Sequence, residues 1–268
     1  IRVNRPSYMI YGGSIYPGEC NGKNIDIVDA FQSYGKYMNN KISDQKRKNT
    51  IKNACPGSGS CGGMYTANTM ASAIEAMGMM LPFSSSNPAL SLEKVKECEE
   101  SGTTIENLLI NDIKPSDIIT KESIQNAITI GICLGGSTNL VLHMLAIAKT
   151  ANIDLDLDAF NDIGKNVPVM GNFKPYGDYL MYDLHKIGGT PLIMKLLYNM
   201  KLINPDCLTV TGKTVYENIK DIDCQILDNQ DVIRHKNPIK DNSHIRILKG
   251  NLAPNGAVAK ITGREGTV

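Results

Sequence analysis

The sequence predicts an α/β fold: a layered parallel-sheet domain with flanking helices, followed by the first strands of a C-terminal β-barrel-like domain. Three observations carry that expectation. Short apolar runs such as "SYMIYGG" alternate with segments of helical periodicity, the strand, loop, helix order of βαβ units. Several helical segments open on Ser or Thr at the position of an N-cap. From about residue 244 the texture changes to alternating apolar and polar residues around an Asn-Gly pair, which is a hairpin pattern.

Taken in order, "SYMIYGG" (Ser7 to Gly13) is an aromatic and β-branched run halted by two glycines, expected as a buried strand. "NIDIVDAFQSYGKYMNN" follows with Ile25, Val28, Phe31 and Tyr34 at helical spacing. "MYTANTMASAIEAMGMM" is rich in Ala and Met, lacks proline and predicts a buried helix stopping near "LPFSSSNP". "SLEKVKECEESGTTIENLLIND" predicts an amphipathic helix capped at Ser91 with acidic residues in its first turns. Thr120 caps the next helix, which ends at an abrupt "GGSTN" turn, and a further apolar helix follows. Helices continue through "LDLDAFNDIG" and "YLMYDLHKIGGTPLIMKLLYNM", and "CLTVTGKTVYENI" supplies another strand, turn and helix. Residues 1–226 read as one domain, incomplete at its N-terminus. The charged, proline-containing 227–243 is a linker, and 244–268 opens a C-terminal β domain, with its turn expected at Asn255 and Gly256.

The composition is that of a globular protein, with 42% hydrophobic and 21% charged residues. With 28 Lys and Arg against 27 Asp and Glu, no net field draws the chain to nucleic acid or an anionic membrane, so a small molecule is the expected partner. No run approaches the ~20 apolar residues of a membrane span. The chain opens on Ile1 and stops just after a strand-like run, which reads as an internal piece of a longer polypeptide. Seven cysteines, irregularly spaced in a chain too large to need staples, argue for a reducing compartment. Cys98, Cys133, Cys207 and Cys224 read as plain core or surface thiols and Cys20 as an exposed loop thiol.

Cys55 and Cys61, in "CPGSGSCGGMYTANTM", pose the chemical question. As a phosphate cradle the stretch lacks the Lys of a P-loop and the spacing of a dinucleotide fingerprint. As a structural turn it is a Pro-Gly turn with a thiol, but its four glycines imply a backbone bent around something. As a metal or cluster site it offers Cys61 at a helix entry, where the helix dipole and nearby N–H groups favour a thiolate, while Cys55 is held by Pro56 and turned away. "GGSTN" is a second glycine-rich helix entry. Ser137, Thr138 and Asn139 either line a substrate cavity or cap the helix through Ser137 or Thr138. His143 reads as a satisfied residue on an apolar helix. His185, His235 and His244 share no metal-ligand spacing.

The stretches "RPSYMIYGGSIYPG", "DIVDAFQSYGKY", "ACPGSGSCGGMYTANTMASAIEAMGM", "LGGSTNLVLHMLAIA", "HKIGGTP", "LTVTGKT" and "ILKGNLAPNGAVAKITGREG" run the length of the chain. In that order they resemble the dihydroxy-acid, phosphogluconate and sugar-acid dehydratase family. The resemblance implies that Cys61 is one of three cysteines holding an iron–sulfur cluster, expected as [2Fe–2S], and that Cys55 is not a ligand. It implies two further cysteines upstream, one in a Cys-Asp-Lys motif that also supplies a Mg²⁺-binding Asp and a carbamylated Lys. A second Mg²⁺ ligand and a catalytic serine are implied beyond Val268, so no catalytic residue is expected within this chain, and the piece alone is expected to be inactive.

The implied reaction is a hydro-lyase dehydration of 2,3-dihydroxy-3-methyl carboxylic acids to 2-oxo acids in valine and isoleucine biosynthesis, assisted by the Lewis acidity of the cluster and of Mg²⁺. "GGMYTANTMASA" favours this branch over the sugar-acid one. A homodimer and a plastid or mitochondrial address are implied as well, with the cytoplasm as the alternative. Two competing readings are a sugar-acid dehydratase and a non-catalytic thiol metal-binding module built on Cys55 and Cys61.

Overall fold

The computed structural model describes residues 1–261. It opens on an antiparallel hairpin, β1 (Gly18–Cys20) and β2 (Lys23–Ile25), turned by Asn21 and Gly22 at positive φ. Asp26 then starts α1 (Ile27–Met38). Its carboxylate accepts the amides of Val28 (2.7 Å) and Asp29 (3.3 Å), and Asp29 accepts the amide of Asp26, a complete capping box. The expected helical spacing is present, yet Phe31 and Tyr34 are 73% and 58% exposed, so the apolar stripe of α1 faces outward. α2 (Asp44–Asn53), capped by Ser43, packs on α1 and β1.

α3 (Thr66–Ala76) is buried over most of its length. After it, the carboxylate of Glu75 accepts the amides of Phe83 (2.9 Å) and Ser85 (2.8 Å), which folds the "LPFSSSNP" loop back over the helix end. Ser91 caps α4 (Leu92–Glu99) as expected. Lys94 and Glu97 of α4 form a buried pair at 2.6 Å, and the Lys94 ammonium also donates to the Ser84 carbonyl (2.9 Å). The single long helix expected from Ser91 breaks at Glu100 into α4 and α5 (Ser101–Ile110). The short α6 (Pro115–Ile118) leads to α7 (Lys121–Cys133), capped by Thr120, whose Oγ1 accepts the Ser123 amide (3.2 Å).

α7 is buried over most of its length and is the centre of the core: Ile124, Ala127, Ile128, Ile130, Ile132 and Cys133 are all buried. It packs against α3, α8 (Asn139–Thr150) and α9 (Asp158–Gly164). Its buried Asn126 is satisfied by the backbone of Asn204, donating to the carbonyl (2.9 Å) and accepting the amide (2.7 Å). α10 (Met181–Ile187) and α11 (Gly189–Asn199) follow, broken at Gly188, then α12 (Val215–Ile219) and a 3-10 turn (Gln225–Asn229). The last described elements are the antiparallel pair β3 (Ile245–Gly250) and β4 (Ala253–Lys260), with β3 against α9.

The fold is thus mixed α/β, dominated by helices, with two small antiparallel sheets among the described residues. The layered parallel sheet is not formed among the described residues. "SYMIYGG" forms no strand. Its neighbour Ser14 makes single parallel bridges to Ser60 and Pro88, and Leu208 a single bridge to Thr214 where another strand was expected. Alternating texture sets which faces bury, but pairing needs partners remote in sequence, and here they meet at one residue each. The hairpin turn is also displaced: Gly250 pairs with Ala253, so Asn251 and Leu252 make the connection. Asn255 and Gly256 instead fall within β4, where the register shifts and Gly256 sits at φ +104° as part of a bulge. The 227–243 segment is partly built into the core, with Leu227, Val232 and Ile233 buried and bridges from Ile233 to Gly171 and Lys240 to Val169. Part of the expected β domain, 262–268, lies outside the described residues.

Burial raises the Glu75 carboxyl to about 7, against its two amide donors. An acid whose folded pKa is raised contributes stability that is complete below its unfolded value and is lost as pH rises through about 7. Stability should therefore fall by roughly 3 kcal/mol between pH 4 and pH 9 on account of this group. Glu75→Gln should flatten that slope while lowering stability by ~1–3 kcal/mol, since one amide donor loses its acceptor. Urea melts of both proteins across pH measure this.

Candidate functional site

Cys61 is exposed at the entry to α3, on a hairpin of backbone that one side chain holds in shape. The carboxamide of Asn68, from the first turn of α3 and fully buried, donates to the carbonyls of Cys61 (2.7 Å) and Gly63 (2.8 Å). Its oxygen accepts the hydroxyl of Tyr11 (2.8 Å), and Tyr11 also bonds Ser60 Oγ. On the other side of the hairpin the strap 172–181 makes two further backbone hydrogen bonds. The Met64 amide donates to the Lys174 carbonyl (2.8 Å), and the Met181 amide to the Gly62 carbonyl (2.7 Å).

The Lys174 ammonium reaches the α1 cap, 2.7 Å from Asp26 and 3.5 Å from Asp29. Burial works against its charge, but these two carboxylates hold it above the ordinary lysine value. Burial, then Cys61 and Asp26, push the Cys55 thiol up, which disfavours its thiolate. The same three influences, burial first, raise the Tyr65 phenol to about 12. Its buried hydroxyl has no hydrogen-bond partner among the described residues.

The second glycine-rich entry is tied directly to the first. The Ser137 amide donates to Thr69 Oγ1 (2.9 Å) and the Asn139 carboxamide to Thr66 Oγ1 (2.6 Å), both on the first turn of α3. Only a glycine fits at 136, because a Cβ there would lie 2.7 Å from the Thr69 methyl. Of the two capping candidates, Ser137 accepts the Asn139 amide (3.2 Å), whereas Thr138 occupies the N-cap position of α8 without a side-chain cap bond. The structure therefore brings Ser137, Thr138 and Asn139 beside the helix whose entry carries Cys61. The hydrogen bonds of Ser137 and Asn139 are structural.

Asn68, Thr66 and Thr69 had no sequence signal beyond lying at a helix start. His244, whose sequence context offered no role, is 2% exposed, with Nε2 2.8 Å from the Gly136 carbonyl. His143 is half-buried on α8. Cys20 lies half-buried in β1, with Asn49 donating to its sulfur, rather than in an exposed loop.

No group of three His, Cys, Asp or Glu side chains able to hold a metal ion exists among the described residues. Cys61 fits the part of a single donor: its thiol is exposed and its backbone is fixed on both sides. The arrangement defines a class, a mixed α/β domain that presents one thiol from a glycine hairpin where two helix entries meet. The chain belongs to the dihydroxy-acid/6-phosphogluconate dehydratase family: the N-terminal family model matches residues 1–218 and the C-terminal model residues 231–268. It is 56% identical over 267 residues to the dihydroxy-acid dehydratase of Francisella tularensis subsp. novicida, a match covering 100% of this chain and 48% of that protein. The Lactococcus lactis subsp. lactis dihydroxy-acid dehydratase is 55% identical over 269 residues, covering 99% and 47%. The chloroplastic dihydroxy-acid dehydratase of Arabidopsis thaliana is 52% identical over 266 residues, covering 99% and 44%. The chain spans about half the length of the curated relatives it matches.

Asn68→Ala removes both carbonyl partners at once and leaves them buried, so it should cost ~2–4 kcal/mol and free the Cys61 hairpin. Alkylation of Cys61 by iodoacetamide should change in rate in this variant, read by mass spectrometry of the labelled peptide, while alkylation of Cys98 stays constant.

Proposed function

We propose that this chain is part of a hydro-lyase that converts 2,3-dihydroxy-3-methyl carboxylic acids to 2-oxo acids for valine and isoleucine biosynthesis. The observation that carries the reading is the Cys61 thiol, exposed on a hairpin fixed by Asn68, in a chain whose whole length aligns with proteins named dihydroxy-acid dehydratase. In the reaction the C2 proton and the C3 hydroxide leave as water, and the resulting enol takes a proton at C3 to give the 2-oxo acid. An iron–sulfur cluster, expected as [2Fe–2S], and Mg²⁺ supply Lewis acidity toward the hydroxyl and carboxylate oxygens when bound.

This chain contributes one thiolate to the cluster through Cys61, with Asn68 and the Lys174 strap holding its orientation. Ser137, Thr138 and Asn139 stand next to it as candidates for the substrate wall. The isolated parallel bridges at Ser14 belong, in this reading, to a layered sheet, and β3 with β4 to a barrel-like domain reached through residues 227–243. The outward apolar stripe of α1 supports a protein partner, taken as a second copy in a homodimer. No helix among the described residues is long and apolar enough to cross a membrane. The chloroplastic name of the Arabidopsis relative supports a plastid address over a mitochondrial one.

In full-length protein purified without air, Cys61→Ser should abolish bound iron, visible absorbance and turnover of 2,3-dihydroxy-3-methylbutanoate. Cys55→Ser should leave all three within about twofold. Loss of metal in Cys55→Ser would instead support a two-thiol metal module, and preferential turnover of 6-phosphogluconate a sugar-acid dehydratase.

A further inference from the structure

The hairpin of β1 and β2 turns on Asn21 and Gly22, both exposed and both at positive φ, 55° and 72°. Cys20 pairs with Lys23, so the loop has two residues. Neither the Gly22 amide nor the Asn21 carboxamide has a hydrogen-bond partner among the described residues. A Cβ at Gly22 would meet nothing within 4 Å, so this peptide is open both to water and to the neighbouring carboxamide. Asparagines deeper in the fold differ, for the carboxamides of Asn68, Asn126, Asn172 and Asn204 are each held by two or more hydrogen bonds. Each strand of the hairpin has only 3 residues, and a two-stranded ribbon that short opens readily.

An asparagine followed by glycine carries its own electrophile and nucleophile, and glycine has no side chain to hinder their approach. Once hydroxide removes its proton, the Gly22 nitrogen attacks the side-chain carbonyl carbon of Asn21. The new N–C bond closes a five-membered succinimide as the bond to the amide nitrogen breaks, and that nitrogen leaves as ammonia. Water then adds at either imide carbonyl and opens the ring to aspartate or isoaspartate. The balance is one water taken up and one ammonia released, with no oxidant or reductant. The sequence has a second such pair, Asn255 and Gly256, but it lies inside β4. There a Cβ on Gly256 would sit 2.9 Å from Leu157 Cδ1, and the flanking Ala253 and Ala257 are paired with β3. Ring closure at Gly256 must first break a longer ladder.

Isoaspartate routes the backbone through the former side chain and lengthens it by one methylene, which a two-residue turn of fixed register cannot absorb. β2 runs through Ile25 directly into Asp26, whose carboxylate accepts the Val28 amide (2.7 Å) and grips the Lys174 ammonium (2.7 Å). We infer that Asn21 is the site at which this protein deamidates spontaneously, and that the isoaspartate formed there unlocks the cap of α1. The inference stands on the hairpin alone and is independent of the dehydratase reading.

Full-length protein is aged for days in mildly alkaline buffer, cleaved, and its peptides separated and weighed. Asn21 should convert at least about fivefold faster than Asn255, with isoaspartate among the products. A carboxyl methyltransferase specific for isoaspartyl residues, given a methyl donor, should label the peptide that carries residue 21. Asn21→Gly keeps a residue suited to positive φ and removes the carboxamide, so it should age without this product. Hydrogen exchange at the Val28 and Asp29 amides should quicken at least about threefold in aged protein and stay constant in aged Asn21→Gly. Conversion of Asn21 no faster than that of Asn255, or unchanged exchange at Val28 and Asp29 once most of residue 21 has reacted, would each overturn the inference.

Discussion

The Asn68 carboxamide is the constraint on which the rest of the site depends. A hairpin that exposes a thiol must turn its carbonyls inward, and buried carbonyls without donors are costly. Asn68 meets two of them with one nitrogen and anchors its oxygen on Tyr11, so amide orientation, hairpin shape and the start of α3 are fixed together. A flipped amide would set oxygen against two carbonyls, so only one orientation is possible. The glycines of "GSCGG" allow the bend, and Asn68 selects one bend among those allowed.

The GGSTN turn extends this logic to the whole domain. The Ser137 N–H and the Asn139 carboxamide donate to hydroxyls on the first turn of α3, while the turn's carbonyls at Gly135 and Gly136 receive Lys260 from β4 and His244 from the residue before β3. Residues more than a hundred positions apart thus meet on a five-residue turn. The turn has few apolar atoms to bury, and its position follows from hydrogen bonds whose partners are themselves fixed by the packing of α3 and α7.

Much of the helical framework was legible in the sequence, because capping and periodicity are local. Ser91 and Thr120 announce their helices, and the Ala- and Met-rich run of α3 is buried as its composition implies. Apart from the break at Glu100, the failures are non-local. "SYMIYGG" has strand texture, but the remote Ser60 and Pro88 pair at Ser14 alone. Asn255 and Gly256 have turn chemistry, yet the pairing of Gly250 with Ala253 consigns them to a bulge. The stripe of α1 has core spacing and lies at the surface. Cys61 was visible as a thiol at a helix entry, whereas the partners that hold it, Asn68 and Lys174, and the buried role of His244 required three dimensions.

The strap through Lys174 has a mechanical meaning. Its carbonyl holds the backbone just past Cys61, its ammonium grips the cap of α1, and its neighbours Phe173 and Tyr176 form part of a cavity on the opposite side. One short segment is therefore a lever with three arms, resting on a surface helix, a sulfur atom and an internal void. A displacement at any arm must be absorbed by the other two, so the backbone beside the sulfur is coupled mechanically to a surface helix and to the wall of a void.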